Sequence, residues 1–129
     1  MPILNVKIAA QESRELTEVI SSSLIELTTR ILKKKPEVTS VAITYLNPEH
    51  WIVGGISLSE QKKSSFYFDI KITDETNTKG EKEQYIREAY TMFTELLGDV
   101  HEVSYIYVED VRATAYGYGG LTQEYRYQH

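Results

Sequence analysis

The chain contains one strand–helix–strand unit twice, and this repeat constrains the fold more than any other feature of the sequence. Asn5-Val6-Lys7-Ile8 matches Asp69-Ile70-Lys71-Ile72 at an offset of 64 residues. Trp51-Ile52-Val53-Gly54-Gly55 matches Tyr116-Gly117-Tyr118-Gly119-Gly120 at an offset of 65. Matches at both ends of the unit with a nearly constant offset indicate a duplication. We therefore predict a single domain over residues 1–129, made of two β-α-β repeats at about 2–55 and 66–120.

The first unit has the pattern of a strand, a helix and a second strand. Alternating apolar residues predict strands over residues 2–9 and 38–46. Ser13 is a suitable N-cap for the helix between them, and Pro36 closes that segment. Apolar residues at spacings of three and four predict this helix: Leu16, Val19, Ile20, Leu24, Leu27 and Ile31.

The second unit repeats this order. Strands are predicted over residues 66–73 and 103–111. Thr78-Lys79-Gly80-Glu81 has the form of a capping box, and Gly98 is placed to end the helix that follows. The apolar stripe of that helix consists of Ile86, Ala89, Tyr90, Phe93 and Leu97.

Two such units predict an α+β fold, with a four-stranded mixed sheet and two antiparallel helices on one face, because β-α-β crossovers are right-handed. The other face of the sheet is more apolar than an exposed face usually is, since Val38, Ala42 and Leu46 point to it. A second copy of the chain is the expected cover, and long polar loops are the alternative.

Composition narrows the function classes. A net charge of −5 argues against a general nucleic-acid binder, which carries a basic face. Cysteine is absent and the three histidines have no metal-ligand spacing, so neither a thiolate nucleophile nor a metal site is predicted. We find no charged leader before an apolar run and no window near the roughly 18 apolar residues of a membrane span. No membrane association is therefore expected, and a cytoplasmic location is the default.

The start of the chain combines with the repeat to suggest a family. The chain begins Met1-Pro2, and removal of Met1 would turn the nitrogen of Pro2 into a free secondary amine. A proline-first chain, a duplicated β-α-β unit and a glycine pair after each second strand together resemble the tautomerase superfamily. His50-Trp51-Ile52-Val53-Gly54-Gly55 is similar to a stretch of the 4-oxalocrotonate tautomerase branch. The chain length and Tyr105-Ile106-Tyr107-Val108-Glu109-Asp110 resemble the macrophage migration inhibitory factor branch.

The resemblance implies a cofactor-independent homotrimer with active sites between neighbouring subunits and an N-terminal proline as catalytic base. Pro2 would then be the general base. Apolar burial and a nearby cation would lower the pKa of its amine towards the working pH. Phe66 occupies the matching position of the second repeat and has no free amine, so each chain should carry one active site.

The resemblance also implies roles for other residues. Lys35 matches a lysine that contacts carboxylate substrates, although the run Lys33-Lys34-Lys35 also suits the negative end of the first helix. Tyr105 matches a tyrosine that closes the pocket of the neighbouring subunit, and both it and Tyr107 also suit a strand. Tyr107 and Arg112 stand where the family pattern has asparagine. Arg112 is a candidate for carboxylate binding only because the fork of a guanidinium matches a carboxylate.

Two further positions bear on the type of reaction. Ala42 replaces an arginine of the small tautomerases, which argues against a dicarboxylate such as oxalocrotonate as substrate. Asp69 would suit a water-activating carboxylate, but its repeat partner Asn5 favours an architectural role.

Three hypotheses follow for the function. The first is a keto-enol tautomerase that acts on a small 2-keto or enol carboxylic acid such as phenylpyruvate, with Pro2 as base. The second keeps the fold but uses a cationic Pro2 as acid, to hydrate, dehalogenate or decarboxylate an unsaturated acid. The third is a non-enzymatic trimeric interaction protein.

Overall fold

A computed structural model describes residues 2–129, which form two long helices, a four-stranded sheet and two small hairpins. The first half contains β1 (Ile3–Ala9), α1 (Arg14–Arg30), β2 (Ser40–Leu46), β3 (Ile52–Val53), β4 (Ile56–Ser57) and the short α2 (Leu58–Gln61). The second half contains β5 (Phe66–Thr73), α3 (Lys79–Leu97), β6 (Tyr105–Val111), β7 (Gly117–Tyr118), β8 (Leu121–Thr122) and the short α4 (Gln123–Gln128).

The sheet has the strand order β2-β1-β5-β6. Each unit supplies a parallel pair, β1 with β2 and β5 with β6, and the two pairs meet through the antiparallel contact of β1 with β5. Leu4 lies opposite Val41 on one side and Ile70 on the other. Because β1 and β5 run in opposite directions, the two crossover helices also run antiparallel. The predicted α+β fold with its four-stranded mixed sheet is confirmed.

The core lies between the sheet and its two long helices. It consists of alternate residues of the two central strands and one face of each helix: Leu4, Val6, Ile8, Phe66, Phe68, Ile70, Ile20, Leu24, Tyr85, Ala89 and Phe93, all fully buried. The Phe66 and Phe93 rings stack with centroids 4.1 Å apart. Tyr85 and Thr28 join the two helices through a buried hydrogen bond of 2.8 Å between their hydroxyls. Burial raises the pKa of Tyr85, so its hydroxyl remains neutral.

The helix ends follow the predicted signals. The Ser13 hydroxyl accepts the Leu16 amide at the start of α1, and Thr78 with Glu81 forms the predicted capping box at the start of α3. Gly98 ends α3 with φ at 90°, in the region that favours glycine. The predicted bounds of β5 are confirmed.

Two strands begin later than the alternation predicts. Val38 is the last residue of a 3₁₀ turn over Pro36–Val38, so β2 begins only at Ser40. The amide of Val103 donates to His101 Nδ1, at 3.0 Å, instead of to a neighbouring strand, and β6 begins at Tyr105.

The face of the sheet opposite the helices mixes polar and aromatic side chains. Tyr105 and Tyr107 are 54% and 49% exposed there, with rings stacked at 6.1 Å between centroids. Asp69 is only 5% exposed on this face, where it pairs with Lys71 at 2.9 Å and accepts from the Tyr67 hydroxyl at 3.2 Å. The hydrogen bond to Asp69 raises the pKa of Lys71. Burial of this face by a second copy stays a prediction.

Each unit also continues past its second long strand into a hairpin and a short helix. A glycine pair forms the turn of each hairpin, with φ of 64° at Gly54 and again at Gly119. The second hairpin leads directly into α4, which has Thr122 as its N-cap.

Candidate active site

A cavity of about 600 Å³ lies at the edge of the sheet where β1 begins. Three segments enclose it beside Pro2: the loop from α1 to β2, the end of β5 with the turn after it, and the C-terminal hairpin with α4. Both repeats therefore contribute to this single cavity, although they are distant in the sequence.

Pro2 is buried and forms part of the cavity wall. Its carbonyl accepts the Ser40 amide at 3.0 Å, which fixes the start of β1 against the start of β2. The same pairing brings the preceding loop back to this edge, so Lys35 lines the cavity with Pro2. The structure thus places these two predicted residues in one site.

The lysine run lies beyond the end of α1. Lys33 adopts a left-handed conformation with φ at 61°, and the Lys34 amide donates to the carbonyl of Thr28 at 3.3 Å. Lys34 Nζ donates to Thr76 Oγ1 at 2.8 Å. Desolvation lowers the pKa of Lys34, which means that its ammonium has lost part of its hydration. An anion in the cavity would restore stabilisation to that charge.

The C-terminal helix closes another side of the cavity. Gln123 is only 6% exposed, and its backbone N–H donates to the Tyr116 carbonyl at 2.9 Å. Arg126 Nη2 donates to the Tyr118 carbonyl at 2.9 Å, and its guanidinium lies 3.8 Å from the centroid of the Tyr118 ring. The α4 backbone and the Arg126 side chain thus fix α4 against the C-terminal hairpin.

A group of hydroxyls lies at the end of β5. Thr73 is 7% exposed, and its Oγ1 forms a hydrogen bond with the Tyr116 hydroxyl. Burial raises the pKa of Tyr116. Both residues line the cavity, so this part of the wall offers neutral hydrogen-bonding groups.

The charges around the cavity are strongly unbalanced. Four cations line it, Lys33, Lys34, Lys35 and Arg126, whereas Glu37 is the acidic residue among the lining side chains. Within residues 2–129, none of these four has a carboxylate oxygen within 4.0 Å, although six of the other ten lysines and arginines do. In a chain of net charge −5, the lining of this cavity is therefore locally cationic.

The other predicted site residues lie elsewhere in the same chain. Tyr105 lines a second depression, of about 490 Å³, together with Lys7, Trp51 and Tyr67. In the sheet register, Tyr105 on β6 lies opposite Tyr67 on β5, and Tyr67 lies opposite Lys7 on β1. Lys7 is roughly 16 Å along β1 from Pro2 at a strand rise of about 3.3 Å, so Tyr105 lies far from the Pro2 end of the sheet.

Tyr107 lies on the open face of the sheet, and Arg112 is exposed after β6 outside the cavity lining. Asp69 is also absent from that lining. Within a single chain, none of these side chains is brought together with Pro2.

Sequence reasoning missed Gln123, Arg126 and Tyr116 as lining residues. A signal for the first two existed, because Thr122 is a good N-cap residue and starts α4. The segment was too short for its periodicity to be recognised as helical.

Residues 2–129 contain no group of three or more His, Asp or Glu side chains placed to hold a metal ion. Across the same residues, every helix is too short or too polar to cross a bilayer.

No family model and no curated protein sequence matches the chain. Solved structures do match. The R7 fused 4-OT, described as an asymmetric trimer, superposes with a TM-score of 0.83 at 18% identity, over 96% of this chain and 98% of that one. Pt0534, solved after inactivation by 2-oxo-3-pentynoate, gives 0.82 at 14% identity with the same coverage.

A macrophage migration inhibitory factor-like protein from Entamoeba histolytica superposes with a TM-score of 0.73 at 16% identity, over 94% of this chain and 97% of that one. Both branches named from the sequence thus share this architecture over nearly the whole chain. The chain has the fold of 4-OT and of macrophage migration inhibitory factor-like proteins.

Proposed function

We propose that this protein is a cofactor-independent tautomerase that interconverts the keto and enol forms of a small 2-keto carboxylic acid, with the amine of Pro2 as general base. The observation that carries the proposal is the position of Pro2, which is buried in the wall of a cavity whose four lining cations have no carboxylate partner among residues 2–129. A buried amine and unpaired cations suit an acid whose reaction passes through an enolate.

The proposed reaction moves one proton and needs no other reactant. With Met1 removed, the lone pair of Pro2 takes a proton from the carbon next to the ketone. The electrons of the broken C–H bond form the carbon–carbon double bond, and the carbonyl π electrons move to oxygen. The prolinium then returns the proton, to oxygen or to carbon according to the direction of reaction. Lys35 balances the substrate carboxylate and the charge that develops on the enolate oxygen.

The cavity also favours a low pKa for the amine. Burial and the surrounding cations both disfavour a prolinium, whereas Glu37 acts in the opposite direction. Since four lining cations oppose one carboxylate, we expect the neutral, reactive amine to predominate near neutral pH. This balance supports base catalysis over the alternative in which Pro2 stays protonated as an acid.

We further propose a homotrimer in which a neighbouring chain completes the site. Several fold neighbours are described as trimers. The open face of the sheet carries the half-exposed rings of Tyr105 and Tyr107. Since neither ring belongs to the lining of its own chain's cavity, a role in substrate binding requires a neighbouring copy. The same holds for Arg112, which lies outside the lining of its own chain's cavity.

Ketonisation of phenylenolpyruvate, followed by ultraviolet absorbance, tests the proposed function. Untagged protein whose intact mass shows that Pro2 is the first residue is expected to accelerate the reaction over buffer. A fraction that retains Met1 is the matched control and should be inactive, because its Pro2 nitrogen is an amide. An inactive protein with a free Pro2 would contradict the proposal.

Covalent labelling gives a second readout of the same site. Because the fold neighbour Pt0534 is inactivated by 2-oxo-3-pentynoate, the same reagent is a suitable probe for a reactive amine here. We expect one adduct per chain, located by peptide mass spectrometry on the peptide that begins at Pro2. An adduct confined to surface lysines would contradict an activated Pro2.

A further inference from the structure

Three hydroxyl side chains meet at the end of β5, at the edge of the sheet where β1 begins. Thr73 Oγ1 forms a hydrogen bond with the Tyr116 hydroxyl and accepts a longer one, at 3.5 Å, from the hydroxyl of Tyr127. All three residues line the cavity beside Pro2. Tyr116 and Pro2 also line an adjoining depression of about 440 Å³, so these two residues border the same space twice.

The direction of these hydrogen bonds leaves the proton of the Tyr116 hydroxyl free. Thr73 is 7% exposed, and its hydroxyl carries a single proton. Since Tyr127 donates to Thr73, a second donation from Tyr116 would leave that proton without an acceptor among residues 2–129. Buried hydroxyls are nearly always paired, so Thr73 donates to Tyr116. The Tyr116 hydroxyl then keeps its own proton for a group in the cavity.

Both ends of this hydrogen bond are held in place before any ligand binds. The Thr73 carbonyl accepts the Thr76 hydroxyl at 2.6 Å, and the Tyr116 carbonyl accepts the backbone N–H of Gln123 at 2.9 Å. Burial raises the pKa of Tyr116, so its hydroxyl stays a donor at neutral pH. A donor fixed in advance needs little reorganisation when negative charge develops near it.

The repeat indicates that this pair of hydroxyls is not needed to build a hairpin. Thr73 matches Ala9 at the offset of 64. Tyr116 matches Trp51 at the offset of 65, and neither matching residue has a hydroxyl. The first hairpin forms nevertheless, with the same glycine turn. Ala9 lies at the opposite end of the sheet, where β5 begins without a proline. The hydroxyl pair is therefore present only at the end that carries Pro2.

We propose that Tyr116 is a catalytic residue whose hydroxyl donates a hydrogen bond to the oxygen on carbon 2 of the substrate, while Pro2 moves the proton at the neighbouring carbon. This proposal rests on the tautomerase function proposed above. The substrate oxygen is neutral in the ketone and becomes negative in the enolate, so a fixed donor binds it more strongly as the reaction proceeds. Tyr116 keeps its proton throughout, and the reaction still moves one proton.

Tyr116→Phe tests the proposal, because it removes the hydroxyl and retains the ring. We expect kcat for ketonisation of phenylenolpyruvate to fall by about tenfold to a hundredfold, the usual contribution of a hydrogen bond to a charged group. KM should change much less, since the bond strengthens mainly when the oxygen becomes negative.

Tyr45→Phe is the matched control. The Tyr45 hydroxyl also forms hydrogen bonds, with the Thr17 hydroxyl and the Ser13 carbonyl, but Tyr45 lies outside the cavity lining. Its loss should leave kcat unchanged. Equal effects of the two variants on kcat, or a rise in KM alone in Tyr116→Phe, would overturn the catalytic role of Tyr116.

Binding of two unreactive acids separates this inference from the proposed function. The probes are 3-phenyllactate, as each enantiomer, and 3-phenylpropanoate; they differ by the oxygen on carbon 2, and neither has a ketone. We expect one enantiomer of 3-phenyllactate to bind the wild-type protein about fivefold more tightly than 3-phenylpropanoate, and Tyr116→Phe to bind the two acids equally.

The outcomes of the binding experiment are distinct. The expected difference in dissociation constants without any turnover would refute the tautomerase function and leave the contact of Tyr116 with that oxygen standing. Equal dissociation constants in the wild-type protein would refute the contact, whatever the activity. A preference for 3-phenyllactate that survives in Tyr116→Phe would refute it as well.

Discussion

Replacement of Pro2 by alanine is expected to lower kcat/KM for ketonisation of phenylenolpyruvate by about a hundredfold or more, the contribution of a positioned general base. Alanine still leaves an amine at the start of the chain. It loses the ring that fixes the direction of the nitrogen lone pair and packs into the cavity wall, where Pro2 is buried. A primary amine on a flexible residue is a base without a defined orientation, and orientation accounts for much of the effect.

Pro48→Ala is the matched control for this prediction. Pro48 begins a 3₁₀ turn after β2 and lies outside the cavity lining, so its replacement should leave kcat/KM unchanged. Both variants must be shown by intact mass to have lost Met1. Retention of activity in Pro2→Ala within a few-fold of wild type would refute the role of Pro2 as catalytic base.

Replacement of Phe68 by alanine should produce the largest loss of stability, about 3–5 kcal/mol in the free energy of unfolding. Phe68 is fully buried on β5, between Val6 on β1 and Ile106 on β6. Its ring centroid lies 5.6 Å from that of Phe93 on α3. The sheet cannot close over the missing volume, because its backbone is fixed on both sides by strand pairing. The cavity cost therefore adds to the lost transfer free energy.

Chemical denaturation at one fixed protein concentration measures this effect, since assembly would make the stability concentration-dependent. A loss of this size is a large share of the 5–15 kcal/mol that holds a typical domain folded. Val19→Ala on α1 is the control: its side chain is 43% exposed, and we expect a change within about 0.5 kcal/mol. If Phe68→Ala cost no more than this control, the described core would be wrong.

The long elements could be predicted from the sequence because their local signals agree with their packing. β5 combines aromatic and β-branched residues on a strand that is buried on its helix side, and its bounds were predicted correctly. The errors at the starts of β2 and β6 have a common cause. Val38 and Val103 continue the alternation, but the Val38 amide donates to the nearby Lys35 carbonyl and the Val103 amide donates to His101 Nδ1. Alternation alone does not reveal this competition.

The candidate site was only partly predictable. Pro2 and Lys35 could be named because the family resemblance rests on short motifs at the start of the chain and after the first helix. Arg126 could not, because its place in the cavity lining depends on where a six-residue helix packs. The duplication contained the missing signal, since an offset of 65 aligns Arg126 with Gln61 and shows a gain of charge in the second unit alone.

The pH dependence of kcat/KM for phenylenolpyruvate, measured on protein with a free Pro2, tests the central claim most directly, because it reports the ionisation of the free enzyme. We expect a plateau at higher pH and a fall in activity as the pH is lowered through the pKa of the Pro2 amine, since only the neutral amine can take a proton. Burial and the cations around the cavity should place that midpoint below the value of about 8 for an ordinary chain amine. Activity that instead falls as the pH rises would mean that a protonated Pro2 acts as an acid, and would contradict the account.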